Sequence, residues 1–159
     1  MEGLIAIFDH KNEAVRKVVE AIKFGFNRDL VGEVLAGWEL PKKLKKTILV
    51  PVPLHRLREN WRGFNQAELI ATHMGKKMTL VRGLVRTRAT AQQARTVNRG
   101  MRVENIKGAF GLGKEGEGLS GKRVILIDDV FTSGVTMREC ARVLRKAGVK
   151  QVWGLVLAR

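Results

Sequence analysis

Residues 123–129 read Arg-Val-Ile-Leu-Ile-Asp-Asp, and this short run restricts the fold more than any other part of the chain. Val124 to Ile127 are apolar at consecutive positions, without the alternation of a strand that has one wet face. Such a strand is covered on both sides, as happens in a parallel sheet with helices packed on each face. The residues that follow have helical spacing, "VTMRECARVLRKAG", and stop at Gly148, a residue suited to the left-handed turn that ends a helix. "QVWGLVLA" then closes the chain as another strand.

The same alternation extends upstream. "LIAIF" (4–8), "KTILVPVP" and "MTLVRGLVR" (78–86) read as strands, the second stopped by prolines because Pro53 cannot continue a central ladder. Between them, residues 11–24 place Val15, Val18, Val19 and Ile22 on one helical face. A helix from about Asp29 to Trp38 and one over 64–74, with Ala67, Ile70, Ala71 and Met74 on one side, complete the pattern. Strands alternating with helices predict an α/β fold on a mostly parallel sheet. At 159 residues one domain is expected, with an N-terminal strand and helices to about residue 45 and a core over 46–159.

In an open parallel sheet, ligands collect beyond the carboxyl ends of the strands. Asp128 and Asp129 stand at that end of the most apolar strand. Thr132, Ser133, Gly134 and Thr136 follow and lead into a helix. Free N–H groups at a helix start, with small residues allowing close approach, bind phosphate, and hydroxyls add donors. Adjacent carboxylates beside an anion nest match a sugar phosphate, whose hydroxyls donate and whose phosphate accepts. Helix capping uses the same residue types, so capping is the competing explanation. Two other motifs are set aside. An acidic receiver pocket would need further strands after its acids, whereas only 31 of the 159 residues follow Asp128. "GLGKEG" (111–116) fits a dinucleotide-binding spacing but opens no helix, so it reads as a glycine-rich turn.

Charge narrows the partners. Thirty Lys and Arg against fifteen Asp and Glu give a formal +15, which favours polyanions. Residues 69–103 hold eight basic residues and no acid, and 42–62 is a second basic tract broken only by Glu59. Cys140 is the single cysteine, which excludes a disulfide framework or a four-cysteine zinc site within these residues. With 45% hydrophobic and 28% charged residues, no span-length apolar run and no leader-like start, a cytoplasmic globular protein is expected.

Residues 124–136 resemble the phosphoribosyl pyrophosphate (PRPP) signature of type I phosphoribosyltransferases. "VPVPLHRLRENWRGFNQAELIA" (50–71), "TRATAQQARTVNRGMRVENIKGAF" (87–110) and "IFDHKNEAVRKVVEAIKFG" are similar to the ComF family of competence-associated phosphoribosyltransferase-like proteins, over almost the full length. Members often carry an N-terminal four-cysteine zinc ribbon. These residues hold none, either because the chain is a ribbon-less member or because the sequence begins after it.

The resemblance implies the type I phosphoribosyltransferase fold with a flexible hood loop, and a pentosyltransferase that uses PRPP. Asp128 and Asp129 would hold the ribose hydroxyls. Backbone amides of Phe131, Thr132, Ser133, Gly134, Val135 and Thr136 would bind the 5′-phosphate, with side-chain help from Thr132, Ser133 and Thr136. The loop after "TILVPV" would bind pyrophosphate through Arg56, Arg58 and Arg62, with His55 as a further donor; a histidine beside prolines is also commonly structural. The hood would carry Arg86, Arg88, Gln92, Arg95 and Arg99, and Arg86 and Arg88 join the two aspartates as the catalytic set. Magnesium is expected to be bound mainly through PRPP and water, with no dedicated protein cluster.

The implied role is DNA uptake in natural transformation, with other competence proteins as possible partners. One alternative is a non-catalytic single-stranded nucleic-acid binder on the same fold, with Arg95, Arg99 and Arg102 in its basic tract. Aromatic residues are only 6% of the chain, so such binding would be chiefly electrostatic. Another is a nucleobase-salvage transferase. Phe131 and Trp61 could stack on a base, although aromatics at such positions more often pack into the core. No residue names the acceptor nucleophile.

Overall fold

A computed structural model describes residues 1–24, 29–74, 78–88 and 106–159, with Leu57 and Arg58 described by backbone alone. In chain order the elements are β1 (Gly3–Phe8), α1 (Glu13–Phe24), α2 (Asp29–Val34), β2 (Ile48–Pro51), α3 (Arg56–Arg62), α4 (Gln66–Met74), β3 (Leu84–Arg86), β4 (Phe110–Leu112), β5 (Arg123–Val130), α5 (Val135–Lys146) and β6 (Gln151–Ala158). The main sheet has the order β1-β6-β5-β2, and its three pairings are parallel. Leu80 adds one parallel bridge to Leu49 outside β2.

Both faces of β5 are covered, as its unbroken apolar run requires. Val124 and Leu126 point to α5 and meet Met137, Cys140 and Leu144. Ile125 and Ile127 point the other way, into a cluster with Ile22 of α1, Val31 of α2 and Ile70 of α4. All four strand residues are fully buried. At about 25 cal/mol per Å² of apolar surface, each such side chain contributes on the order of 2 kcal/mol. Cys140 lies in the α5 layer at 0% exposure. Burial pushes its thiol pKa well above the ordinary value, with the Asp128 charge adding to the effect.

Local chemistry accounts for the helix ends. The Asn12 side chain accepts the Ala14 N–H at 2.9 Å and starts α1. Asn65 does the same for α4, accepting the Ala67 N–H at 3.0 Å while its own amide donates to the Val52 carbonyl at 3.0 Å. That second bond ties the start of α4 to the end of β2.

Four expectations need correction. The strand over 78–86 is broken in two: Leu80 bridges to the main sheet, whereas β3 pairs antiparallel with β4 in a separate small sheet. Gly83 marks the break; its carbonyl accepts the Gly113 N–H, and a Cβ there would come within 2.6 Å of Leu119. The segment after β2 is a helix, α3, and not a loop. Its Arg, Leu and Glu residues favour helix, and Gly63, at φ 73°, ends it in the left-handed conformation. The helix from Asp29 ends at Val34, ahead of Trp38. Finally, β5 does not stop at its acids but continues through Val130.

Candidate functional site

The site opens where β2 stops. The last β2 pairing is Pro51 with Ile127, after which the Val52 N–H donates to the Ile127 carbonyl and Pro53 turns the chain away. Past Ile127, β5 therefore has no strand neighbour on that side among the described residues, while β6 still flanks it through Val130. Asp128 and Asp129 stand in this notch. Strand alternation sends Asp128 to the α5 side of the sheet and Asp129 to the α1 side. Both nevertheless face one cleft of about 450 Å³, because the missing neighbour lets each side chain reach it.

Asp129 pairs with Lys23 of α1, Nζ to Oδ2 at 3.2 Å. Asp128 Oδ1 accepts the Asp129 N–H at 2.9 Å. Burial and the neighbouring Asp129 charge push the Asp128 pKa from 3.8 up to about 7, against the pull of the Asp129 amide and the Lys23 and Arg86 cations. The cleft walls carry Arg16, Lys23, Arg62 and Arg86 against Glu20, Asp128 and Asp129. Three carboxylates, two of them adjacent, held among four cations suit a ligand that carries both hydroxyls and anionic groups.

Beyond β5 lies the loop that leads into α5. Gly134 begins α5 at φ 70°, where a Cβ would meet the Phe131 ring at 2.2 Å, so only glycine fits. Among the described residues no side chain caps this helix, and none takes the N–H groups of Thr132 to Thr136. Phe131 is a correction: its N–H donates to the Ala158 carbonyl at 2.9 Å and is not offered to a ligand. The Phe131 side chain packs against the core, with Arg159 5.7 Å above its ring. Thr136 lines the cleft, whereas Thr132 and Ser133 lie along the loop. The Ser133 carbonyl accepts from Arg138.

The predicted arginines divide. Arg86, at the end of β3, lines the cleft with its guanidinium 5.2 Å from the Phe110 ring. Arg88 does not reach it; two residues past the strand, its Nη2 donates to the Lys107 carbonyl at 2.9 Å. The small sheet that holds Arg86 is fastened to α5 by Glu139, which accepts the Gly108 N–H at 2.8 Å and the Arg142 guanidinium at 2.8 Å. Arg62 lines the cleft and lies 5.1 Å over the Phe24 ring. Arg56 instead lines a neighbouring cleft of about 420 Å³ that shares Arg86 and Asn65. His55 lines neither cleft; its carbonyl accepts the Glu59 N–H. The Arg58 side chain and Gln92, Arg95, Arg99 and Arg102 lie outside the described residues.

Sequence reasoning missed the contribution of α1. Arg16, Val19, Glu20, Lys23 and Phe24 all line the cleft, at the three- and four-residue spacing of one helix face. That spacing of charged residues is visible in the sequence, but the apolar face drew the assignment. Trp61 is not core packing either: it is 63% exposed and meets Phe24 edge-on, ring centres 6.2 Å apart.

The parallel sheet flanked by helices, with an acid pair and an open helix start at its carboxyl edge, defines the type I phosphoribosyltransferase fold. Two solved structures share it. One is the allosteric regulatory enzyme of purine biosynthesis, with a TM-score of 0.52 and 18% identity over 87% of this chain and 30% of that one. The other is the glutamine PRPP amidotransferase from B. subtilis, complexed with ADP and GMP, with a TM-score of 0.53 and 21% identity over the same shares. The phosphoribosyl transferase domain family matches residues 61–159. Competence protein F of Haemophilus influenzae is 35% identical over 114 residues, 69% of this chain and 50% of that protein. DNA utilization protein YhgH of Escherichia coli K12 is 33% identical over 144 residues, 84% and 60% respectively. Competence protein ComFC of Bacillus subtilis is 33% identical over 104 residues, 65% and 40%. The chain belongs to the phosphoribosyl transferase domain family and, within it, to the ComF group of competence-associated members. It spans 40% to 60% of the length of these three curated relatives. Among the described residues, no helix is long and apolar enough to cross a membrane.

Proposed function

We propose that the cleft binds PRPP and that the protein is a PRPP-dependent phosphoribosyltransferase-like member of its family, with a role in DNA uptake. The observation that carries this reading is the placement of Asp128 and Asp129 in one open cleft beside the uncapped start of α5. The acids accept the ribose hydroxyls, the amides of Thr132 to Thr136 take the 5′-phosphate, and Arg62 and Arg86 face the diphosphate. A ribosyl centre that loses pyrophosphate develops positive charge on the sugar and negative charge on the leaving group. Carboxylates on one side and guanidinium groups on the other stabilise that separation.

The donor set suits magnesium held through the substrate. Among the described residues no group of three or more His, Cys, Asp or Glu forms a ligand cluster. Two carboxylates beside the diphosphate would supply only part of the shell of an ion that keeps its waters. Bound there, magnesium would neutralise diphosphate charge.

The test is a thermal melt with and without Mg-PRPP. A rise in Tm that disappears when Asp128 and Asp129 are both replaced by Asn supports the reading, and a wild-type protein that shows no rise at saturating ligand overturns it. The formal +15 favours a second reading, in which the chain also holds single-stranded nucleic acid. DNA affinity that falls steeply between two salt concentrations supports it.

A further inference from the structure

Gln66, at the first turn of α4, is 2% exposed and lines the same cleft as Asp128, Arg86 and Thr136. Asn65 caps the helix, so Gln66 is not needed for that task. Its Oε1 accepts from Arg62 Nη1 at 3.2 Å. A guanidinium has donors only, so this contact fixes which end of the amide is oxygen and leaves Nε2 facing elsewhere. Nε2 is buried and has no hydrogen-bond partner among the described residues. A buried donor left unmade is expensive, and an apolar side chain of the same size would fill the space at lower cost.

We propose that Gln66 is a ligand-binding residue, its Nε2 donating to an oxygen of the diphosphate when PRPP occupies the cleft. This rests on the PRPP reading above. The remaining group is a donor, so it selects an acceptor, and the charged diphosphate oxygens are the strongest acceptors the ligand offers. Gln66 follows the Gly63 turn that ends α3 and is held by Arg62, which also lines the cleft. The oxygen-rich end of the ligand belongs on this cationic side.

The experiment titrates Mg-PRPP, Mg-pyrophosphate and ribose 5-phosphate into the wild-type protein and into Gln66→Met and Gln66→Glu. Met keeps the bulk and removes both the donor and the oxygen that holds Arg62; Glu keeps the shape and that oxygen and lacks only the donor. Both variants should bind Mg-PRPP and Mg-pyrophosphate about tenfold or more weakly, the loss of one hydrogen bond to a charged group. Ribose 5-phosphate affinity should stay within about twofold. Wild-type affinity for Mg-pyrophosphate in either folded variant overturns the proposal, as does an equal loss for ribose 5-phosphate. A wild-type protein that binds none of the three ligands overturns the PRPP reading itself, an outcome distinct from failure at Gln66 alone.

Discussion

Lys23 and Asp129 join the first helix to the end of the central strand through an ion pair of 3.2 Å, with both side chains less than a quarter exposed. The lysine thus neutralises half of an adjacent carboxylate pair in the ligand-free protein. Replacing it with Met leaves the two acids facing each other. Lys23 also pulls the Asp128 pKa down, so its loss raises that value further. At pH 5 Asp128 is protonated and the repulsion is small; as pH rises through about 7 and beyond, Asp128 becomes charged and the repulsion grows. Lys23→Met should therefore destabilise the fold by about 1–2 kcal/mol at pH 8 and by much less at pH 5. Thermal melts at the two pH values check this.

Asp128→Asn makes the opposite prediction for stability. The carboxyl has a folded pKa of about 7, above its ordinary 3.8, so the folded state holds the proton more tightly than the unfolded state. The stability this confers is complete at low pH and is lost as pH rises through about 7. The amide carries no such slope. The variant should gain Tm relative to wild type on going from pH 5 to pH 8, while losing its response to Mg-PRPP.

Arg86 and Arg88 are two residues apart and should behave differently. Arg86 faces the acids across the cleft, whereas Arg88 is engaged with the Lys107 carbonyl. Arg86→Met should weaken Mg-PRPP binding by about tenfold or more, the scale of one charge-assisted contact. Arg88→Met should leave it within about twofold. Isothermal titration separates the two outcomes.

Gly134→Ala tests the loop proposed to hold the 5′-phosphate. The left-handed backbone and the Phe131 ring 2.2 Å from a Cβ mean that the loop must move. A loss of about 1–3 kcal/mol in stability is expected, with weaker ribose 5-phosphate binding. Denaturant unfolding and titration measure both.

The strand Val124 to Ile127 was legible because an unbroken apolar run leaves only one kind of environment, and the acids after it stand at the sheet's ligand edge for the same reason. The split of 78–86 was not legible, since the Gly113 hydrogen bond to Gly83 and the Leu119 side chain that leaves no room for a Cβ there are both distant in sequence. The helix α3 was hidden by its arginines, which read as a binding loop although they are also good helix formers. Lys23, Gln66 and the exposed Phe24–Trp61 pair became visible only once α1 and α4 were set around the same opening. Phe131 illustrates the reverse case: the motif supplies the residue, but sheet pairing with Ala158 takes its amide.

Cys140 sits sealed between α5 and the sheet with its thiol pKa driven upward, so a thiol-directed alkylating agent has no route to it in the native protein. Because it is the chain's single sulfhydryl, covalent labelling becomes a clock for large-scale opening. Every modified molecule records one excursion that exposed the interior, and a ligand that grips the cleft should slow that clock in proportion to the stability it adds.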